Sequence, residues 1–515
     1  MTDIPSIFND VLGPVMRGPS SSHSAAALRI GRLGRDLMGG RLTKVIVEYD
    51  PNGSLVTTHE SQGSDLGLFG GLMGWETDDP RLTDFREEIV KAGIEVDIRY
   101  VSYEAEHPNT YRLTLKNEEG ERRLQAISTG GGMIEVQSVD GVSLAMAGDY
   151  FETIVMGLAP KSLFEGDFFE EVHEHSHDGI AMIQACSRSA PSGELLAELI
   201  SLDAVESVVV LEPVLPVLGK KTIEVPFLSV GEMLSYREAE GGSLELWELA
   251  VRYEAARGGI LEAEVFAKMQ NLVEVFEGSI STGLGGTKFE DRILPCQSGG
   301  FEEKLSKGAL IPGDVHNRII LYVTAMMEMK SSLGVIVAAP TAGSCGALPG
   351  AVFGVSDAMG YPQEERVKAM LVAGLIGVFV TSRATFAAEI AGCMAECGSG
   401  ASMAAAALTG LAGGSLEQQL GAASQALQNS FGMTCDTLAN RVEAPCLGKN
   451  VMAATNALAC TNMALADYQH LVPLDQVIDA MHQVGELMPR EICCTGLGGL
   501  AITPASREIE ARLKK

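Results

Sequence analysis

The chain has 515 residues, 46% hydrophobic and 20% charged, with 58 glycines and only 5% aromatics. That length suggests about two to four domains, and the composition is that of a globular chain, not a disordered one. A net charge of −29 repels phosphate backbones, which excludes nucleic acid as a partner.

In chain order, residues 1–35 show no basic, apolar and small-residue succession of a signal peptide. Residues 24–38 are amphipathic. Residues 44–48 and 111–115 alternate as strands do, and residues 128–133 (Ser-Thr-Gly-Gly-Gly-Met) form a glycine turn between two strand-like pieces. Residues 1–155 are therefore expected to form an α/β domain. Residues 156–225 hold a helix-like stretch, 194–200, and a Val-rich strand-like run, 207–211. They are expected to be a small α+β linker or ACT-like domain.

From residue 226 to 515 the character is helical, first amphipathic (243–256, 260–276), then rich in Ala and Gly with few charges (401–411, 452–466). Helices apolar nearly all round are expected to be buried on all sides. The longest apolar run, 369–380, is too short for a bilayer core of roughly 30 Å. The expectation is an α+β protein with no membrane partner, located in the cytoplasm.

Nine of the ten cysteines follow residue 290. In a reducing compartment they are not a disulfide framework, and their crowding raises the prospect of a metal or cluster site. Cys393-Met-Ala-Glu-Cys397 and the polar loop from Cys435 to Cys446 can project thiolates toward one another, and cluster ligands need not be close in sequence. Buried structural cysteines fit the same spacing, and zinc is a rival without a tight Cys-x-x-Cys pair. Two further motifs are rich in hydroxyls. Gly18-Pro-Ser20-Ser21-Ser22-His23-Ser can hold a carboxylate at a helix start, or be a plain Ser cap beside a surface His. Pro340-Thr341-Ala-Gly-Ser344-Cys-Gly346 can place hydroxyls and amides at a pocket, or be an ordinary turn. His173-Glu-His-Ser-His177 is read as a solvated or interface strand over a metal site.

Together these motifs resemble the bacterial iron–sulfur L-serine dehydratases in a fused single-chain form. Residues 18–24, 52–55, 107–110 and 130–132 are similar to the β-type domain of that family. Residues 340–346, 391–393, 435–446, 448–450 and 498–501 are similar to its α-type catalytic domain. The resemblance implies a [4Fe–4S] cluster on Cys393, Cys435 and Cys446, with Cys397 outside the ligand set. It further implies an amino-acid substrate whose carboxylate is held by Ser20, Ser21, Ser22, Thr341 and Ser344, and a homodimer.

The chain departs from the pattern at two points: residues 509–515 hold no Cys like the one with which some members cap the open iron, and the second point bears on the base. The family usually carries a His three residues before an Asp, as base for the Cα proton; here the Asp is Asp65 and that position holds Gln62, which cannot act as a base. His59 and His23 are the candidates left. In a strand, residues 59 and 62 would face opposite sides. The expected activity is dehydration and deamination of L-serine to pyruvate and ammonia. Its alternatives are a cluster-dependent lyase for another β-hydroxy amino acid or hydroxy acid, a cysteine desulfidase, or a non-enzymatic iron–sulfur sensor.

Overall fold

The computed structural model describes residues 4–513. These divide into two compact units, one from Ser22 to Ile223, the other combining the described residues up to Ser21 with those from Glu224 onward.

The N-terminal segment of the discontinuous unit is tied down by a buried carboxylate. Glu254, with no solvent exposure, accepts from the Ser6 hydroxyl at 2.5 Å and the Ile7 amide at 2.7 Å. Ile7 and Val11 then fit against helix Gln363–Arg383 where Gly374 and Gly377 leave room for them. Strand β1, Val15–Met16, follows.

The Ser22–Ile223 unit is built on two sheets. In the larger, β2 (Lys44–Tyr49), β3 (Glu95–Tyr100), β4 (Thr110–Lys116), β5 (Glu121–Gly130), β6 (Met133–Val139) and β7 (Val142–Met146) lie in the order β3-β2-β4-β5-β6-β7. Only the β2–β3 pair is parallel. Strand alternation sends Val45, Val47 and Tyr49 of β2 inward, where they share a core with Ala27, Ile30, Leu33 and Leu37 of helix Ala26–Leu37. The glycine turn expected at 128–133 joins β5 to β6.

The smaller sheet has β8 (Phe151–Gly157), β9 (Phe169–His177), β10 (Ile180–Ser187) and β11 (Val205–Leu211) in the antiparallel order β11-β8-β10-β9. With helix Gly193–Ile200 this is the strand order of a ferredoxin-like split βαβ unit. His173 and His175 are engaged within this sheet, on Glu171 at 2.9 Å and Gln184 at 3.0 Å.

In the helical unit, Ser399–Leu411 is the central helix, buried along almost its whole length and in contact with helices Ala347–Met359, Gln363–Arg383, Leu416–Gln428 and Ala444–Leu465. Its run of Ala, Gly and Ser lets neighbouring backbones approach, so an apolar-all-round helix is covered on every side. Ahead of Pro340 lies a short strand, β12, Ile336–Val337, which pairs antiparallel with β1. Among the described residues no single helix is long and apolar enough to cross a membrane.

Candidate active site

Two breaks in regular structure bring the C-terminal thiols together. Helix Ala388–Cys393 loses helical geometry at Ala391 and Gly392. Gly392 sits at φ +61°, and a Cβ there would lie 2.7 Å from the Met433 carbonyl oxygen, so only glycine makes this corner. The second break is an extended segment in which the Cys435 amide donates to the Ile492 carbonyl and the Cys494 amide to the Cys435 carbonyl, both at 2.8 Å. One sulfur from each of Cys393 and Cys435 and one carboxylate oxygen of Glu396 lie within 4.8 Å of one another, all buried. This group can hold a metal.

Cys446 enters from the first turn of helix Ala444–Leu465, where Pro445 occupies a position that needs no amide proton. Burial pushes its thiol up to about 12, with Lys330 acting in the opposite direction and Cys393 and Glu396 adding to the rise. The Cys393 thiol is raised by its hydrogen bond with Cys435 and by burial.

Two lysines face these groups. Lys449 Nζ donates to the Thr434 carbonyl at 2.6 Å and to Asp436 at 2.7 Å, and lies 3.9 Å from Cys393 Sγ. Lys330 is fully buried and donates to the Val442 carbonyl.

The Pro340–Gly346 turn adjoins the thiol group through Glu396. Thr341 Oγ1 donates to Glu396 Oε1 at 2.6 Å, and a Cβ on Gly343 would sit 2.7 Å from the same oxygen. Burial raises the Glu396 carboxyl to about 7, against the Thr341 hydrogen bond. Ser344 Oγ is 3.1 Å from Thr341 Oγ1, and Ser21 Oγ accepts from the Ala342 amide at 3.3 Å. Asn450 fastens the turn to the Cys446 helix. Its Oδ1 accepts from the Gly346 and Ala347 amides at 3.1 and 2.9 Å, and its Nδ2 donates to the Gly343 and Cys446 carbonyls. Ser20, half-buried, precedes Ser21 on the chain.

The remaining candidates lie in the Ser22–Ile223 unit. The Ser22 carbonyl accepts from Ser128 Oγ at 2.7 Å. His23 is buried, not a surface residue, and its Nε2 is 3.0 Å from Thr58 Oγ1; burial lowers its pKa to about 4. Residues 59 and 62 are not on a strand. Helix Leu55–Thr58 is followed by a turn, closed by Gly63 at φ +91°, and then by helix Ser64–Leu72. That turn brings His59 back onto Asp65, Nδ1 to Oδ1 at 2.8 Å, although the two are six residues apart. His59 Nε2 meets the Tyr100 hydroxyl at 2.9 Å. Gln62 is buried beside them in sequence.

Several neighbours of these residues carry no expectation from the sequence. Glu396 had a signal, standing between two cysteines; Lys449 did too, inside the Gly448-Lys-Asn450 motif. Lys330 and Tyr100 had none.

Taken as a class, the helical unit is a scaffold that buries thiols, a carboxylate and Lys330, with the half-buried Lys449 beside them, under a hydroxyl-bearing turn. A profile of the serine dehydratase alpha chain family matches residues 241–501. Over 250 residues the chain is 35% identical to a probable L-serine dehydratase alpha chain of Bacillus subtilis, covering 48% of this chain and 83% of that one. Over 267 residues it is 33% identical to an L-serine dehydratase alpha chain of Peptoniphilus asaccharolyticus, covering 52% and 91%. A probable L-serine dehydratase beta chain of B. subtilis is 38% identical over 151 residues, 29% of this chain and 67% of that one. The chain belongs to the serine dehydratase family, and carries in one polypeptide similarity to both its alpha and beta chains.

Proposed function

We propose that this protein is an L-serine ammonia-lyase, converting L-serine to pyruvate and ammonia with a [4Fe–4S] cluster held by Cys393, Cys435 and Cys446. The observation that carries the reading is the buried thiol–carboxylate group in a chain of this family. Its chemistry suits a cluster: three thiolates around four irons leave net negative charge, and Lys449 and Lys330 stand by to offset it. When bound, the cluster supplies an iron Lewis acid for the departing β-hydroxyl.

The chain's own residues bind the substrate and move its proton. Ser20, Ser21, Ser22, Thr341 and Ser344 are assigned the carboxylate. Thr341 is held by Glu396 and Ser344 by Thr341, so their positions are set before substrate arrives. The base is assigned to His59. With Asp65 accepting from Nδ1–H, the ring is fixed and Nε2 is the atom left to take the Cα proton. The Tyr100 hydroxyl now on Nε2 must give way to substrate. His23 is neutral but weakly basic, which makes it the poorer base. Loss of the Cα proton and of hydroxide gives an aminoacrylate that hydrolyses to pyruvate and ammonia.

Gln62 is the reason for considering another hydroxy substrate, and the His59–Asp65 pair supplies the imidazole that Gln62 lacks. We further read residues 1–155 as the β-type domain, 156–225 as an ACT-like domain and 226–515 as the catalytic α-type domain; the strand order of the smaller sheet supports the second with its start moved back to Phe151, and residues 4–21 pack with the third. Ten free thiols favour a reducing cytoplasm, where we expect a homodimer. The test is anaerobic purification followed by iron analysis and pyruvate release from L-serine. About four irons per chain and serine-dependent pyruvate support the reading. Iron-free protein that turns over serine, or iron-loaded protein inert to serine, defeats it.

A further inference from the structure

Cys494 is the thiol of this neighbourhood that the proposed function leaves unused. Its side chain packs against the group formed by Cys393 and Cys435 and interacts with the Cys435 thiol. The two backbones are also interlocked, through the Cys435 amide on Ile492 and the Cys494 amide on Cys435. In a regular strand, consecutive side chains take opposite faces. Here Cys493 has its sulfur 4.0 Å from the Ile390 carbonyl oxygen, while Cys494, at φ +62°, packs against the Cys393–Cys435 group. A left-handed backbone costs a non-glycine residue roughly 1–2 kcal/mol, and in this chain it carries a sulfur to Cys435. Cys393, Cys397, Cys435, Cys446 and Cys493 are buried, whereas Cys494 keeps partial exposure. Among the thiols packed around Cys393 and Cys435, an oxidant from solvent therefore meets Cys494 first, Cys296 being exposed elsewhere on the chain.

We infer that Cys494 and Cys435 are a redox pair: when the site lacks iron, peroxide joins them in a disulfide that keeps Cys435 recoverable. The pairing rests on the two thiols alone; that Cys435 is thereby preserved for iron binding rests on the proposed function. Hydrogen peroxide takes the Cys494 thiol to a sulfenic acid and leaves as one water. The Cys435 sulfur then attacks the Cys494 sulfur. The S–S bond forms, the S–O bond breaks, and the oxygen leaves as a second water with the Cys435 thiol proton. Two thiols and one peroxide thus give one disulfide and two waters. A dithiol reductant reverses the step by exchange.

The test uses the full-length protein, stripped of iron with a chelator under anaerobic conditions and treated with one equivalent of hydrogen peroxide. Free thiols are blocked with N-ethylmaleimide before non-reducing peptide mass spectrometry. The expected product is a peptide pair linked through Cys435 and Cys494. In Cys494→Ser given excess peroxide, Cys435 should instead proceed to the sulfinic acid, which consumes two peroxides per sulfur, and iron rebound after dithiothreitol should fall about fivefold below wild type given the same excess. Cys494→Gly suits the left-handed backbone and should behave the same, so a folding defect in the serine variant does not decide the matter. Cys435 linked to Cys393, an unmodified pair while other cysteines react, or wild-type iron recovery in both variants would overturn the inference. A Cys435–Cys494 link in protein that never binds iron keeps the pair and removes the proposed cluster.

Discussion

Glu152 shows how a single buried group sets a pH response. It lies on β8 with 2% exposure, accepting from Gln184 Nε2 and Cys186 Sγ, both at 3.2 Å. Burial raises its carboxyl to about 7. In the unfolded chain it ionises near 4.3, so between about pH 4.3 and 7 the folded state binds the extra proton and stability falls as pH rises. The drop is on the order of 3 kcal/mol and is complete above pH 7. Glu152→Gln keeps an acceptor and removes the titration. Its thermal midpoint should change less than that of wild type between pH 5 and 8; parallel pH profiles for the two would reject the assignment.

The cysteines make a sharper contrast. Cys397 sits near the ligand candidates but is occupied otherwise, 3.7 Å from Asn450 Nδ2 and buried at the entry to the central helix. Cys446→Ala should abolish iron binding, whereas Cys397→Ala should retain most of it by colorimetric iron assay. For the base, His59→Ala should lower kcat about 10²-fold, a loss of roughly 2.7 kcal/mol. His23→Ala should stay within about threefold of wild type. A larger loss for His23 than for His59, measured by pyruvate release, would reverse the assignment.

At the scale of elements, glycine lets helices Ala26–Leu37 and Ser64–Leu72 cross almost backbone to backbone. A Cβ on Gly71 would lie 2.0 Å from the Leu28 carbonyl oxygen, and one on Gly67 would lie 1.8 Å from that of Ser24. Neither contact is a flexible side chain that can swing away. Gly71→Ala should therefore force the helices apart, at a cost of about 1–3 kcal/mol, read as a lower urea midpoint. The crossing also carries the site. Helix Ser64–Leu72 holds Asp65 in its first turn, and a shift of that helix should loosen the His59–Asp65 pair. An unchanged midpoint in Gly71→Ala would mean that the crossing is more forgiving than its geometry suggests.

For the whole molecule, the decisive property is the proposed cluster with three protein anchors, one iron lacking a protein ligand. Such a site loses iron readily to oxygen. Serine turnover should decay in air in step with iron content, and return on anaerobic reconstitution with iron, sulfide and a dithiol. Activity that persists after prolonged aeration, with iron gone, would sever function from the cluster. The charge of −29 acts on the same scale. It does little to a zwitterionic amino acid, but it opposes long-range capture of an anion. A carboxylate must therefore be recognised at short range, as the hydroxyl-bearing turn is proposed to do.

Much is legible in the sequence itself. Helix and strand types followed from periodicity, because burial on one face writes a 3.6- or 2-residue pattern into the chain. The motifs at Pro340–Gly346, Cys393 and Cys435–Cys446 stood out as residue types with chemistry. Three things were decided only in three dimensions. Residues 4–21 join the helical unit because Glu254, more than 240 residues away, satisfies their hydroxyl and amide. His59 regains an Asp partner because a left-handed Gly63 turns the chain back over six residues. Lys330 and Cys494 reach the thiols through a buried hydrogen bond to Val442 and a left-handed backbone. Periodicity records which face of an element is covered. It does not record which distant side chain covers it, since that depends on how elements far apart in sequence cross.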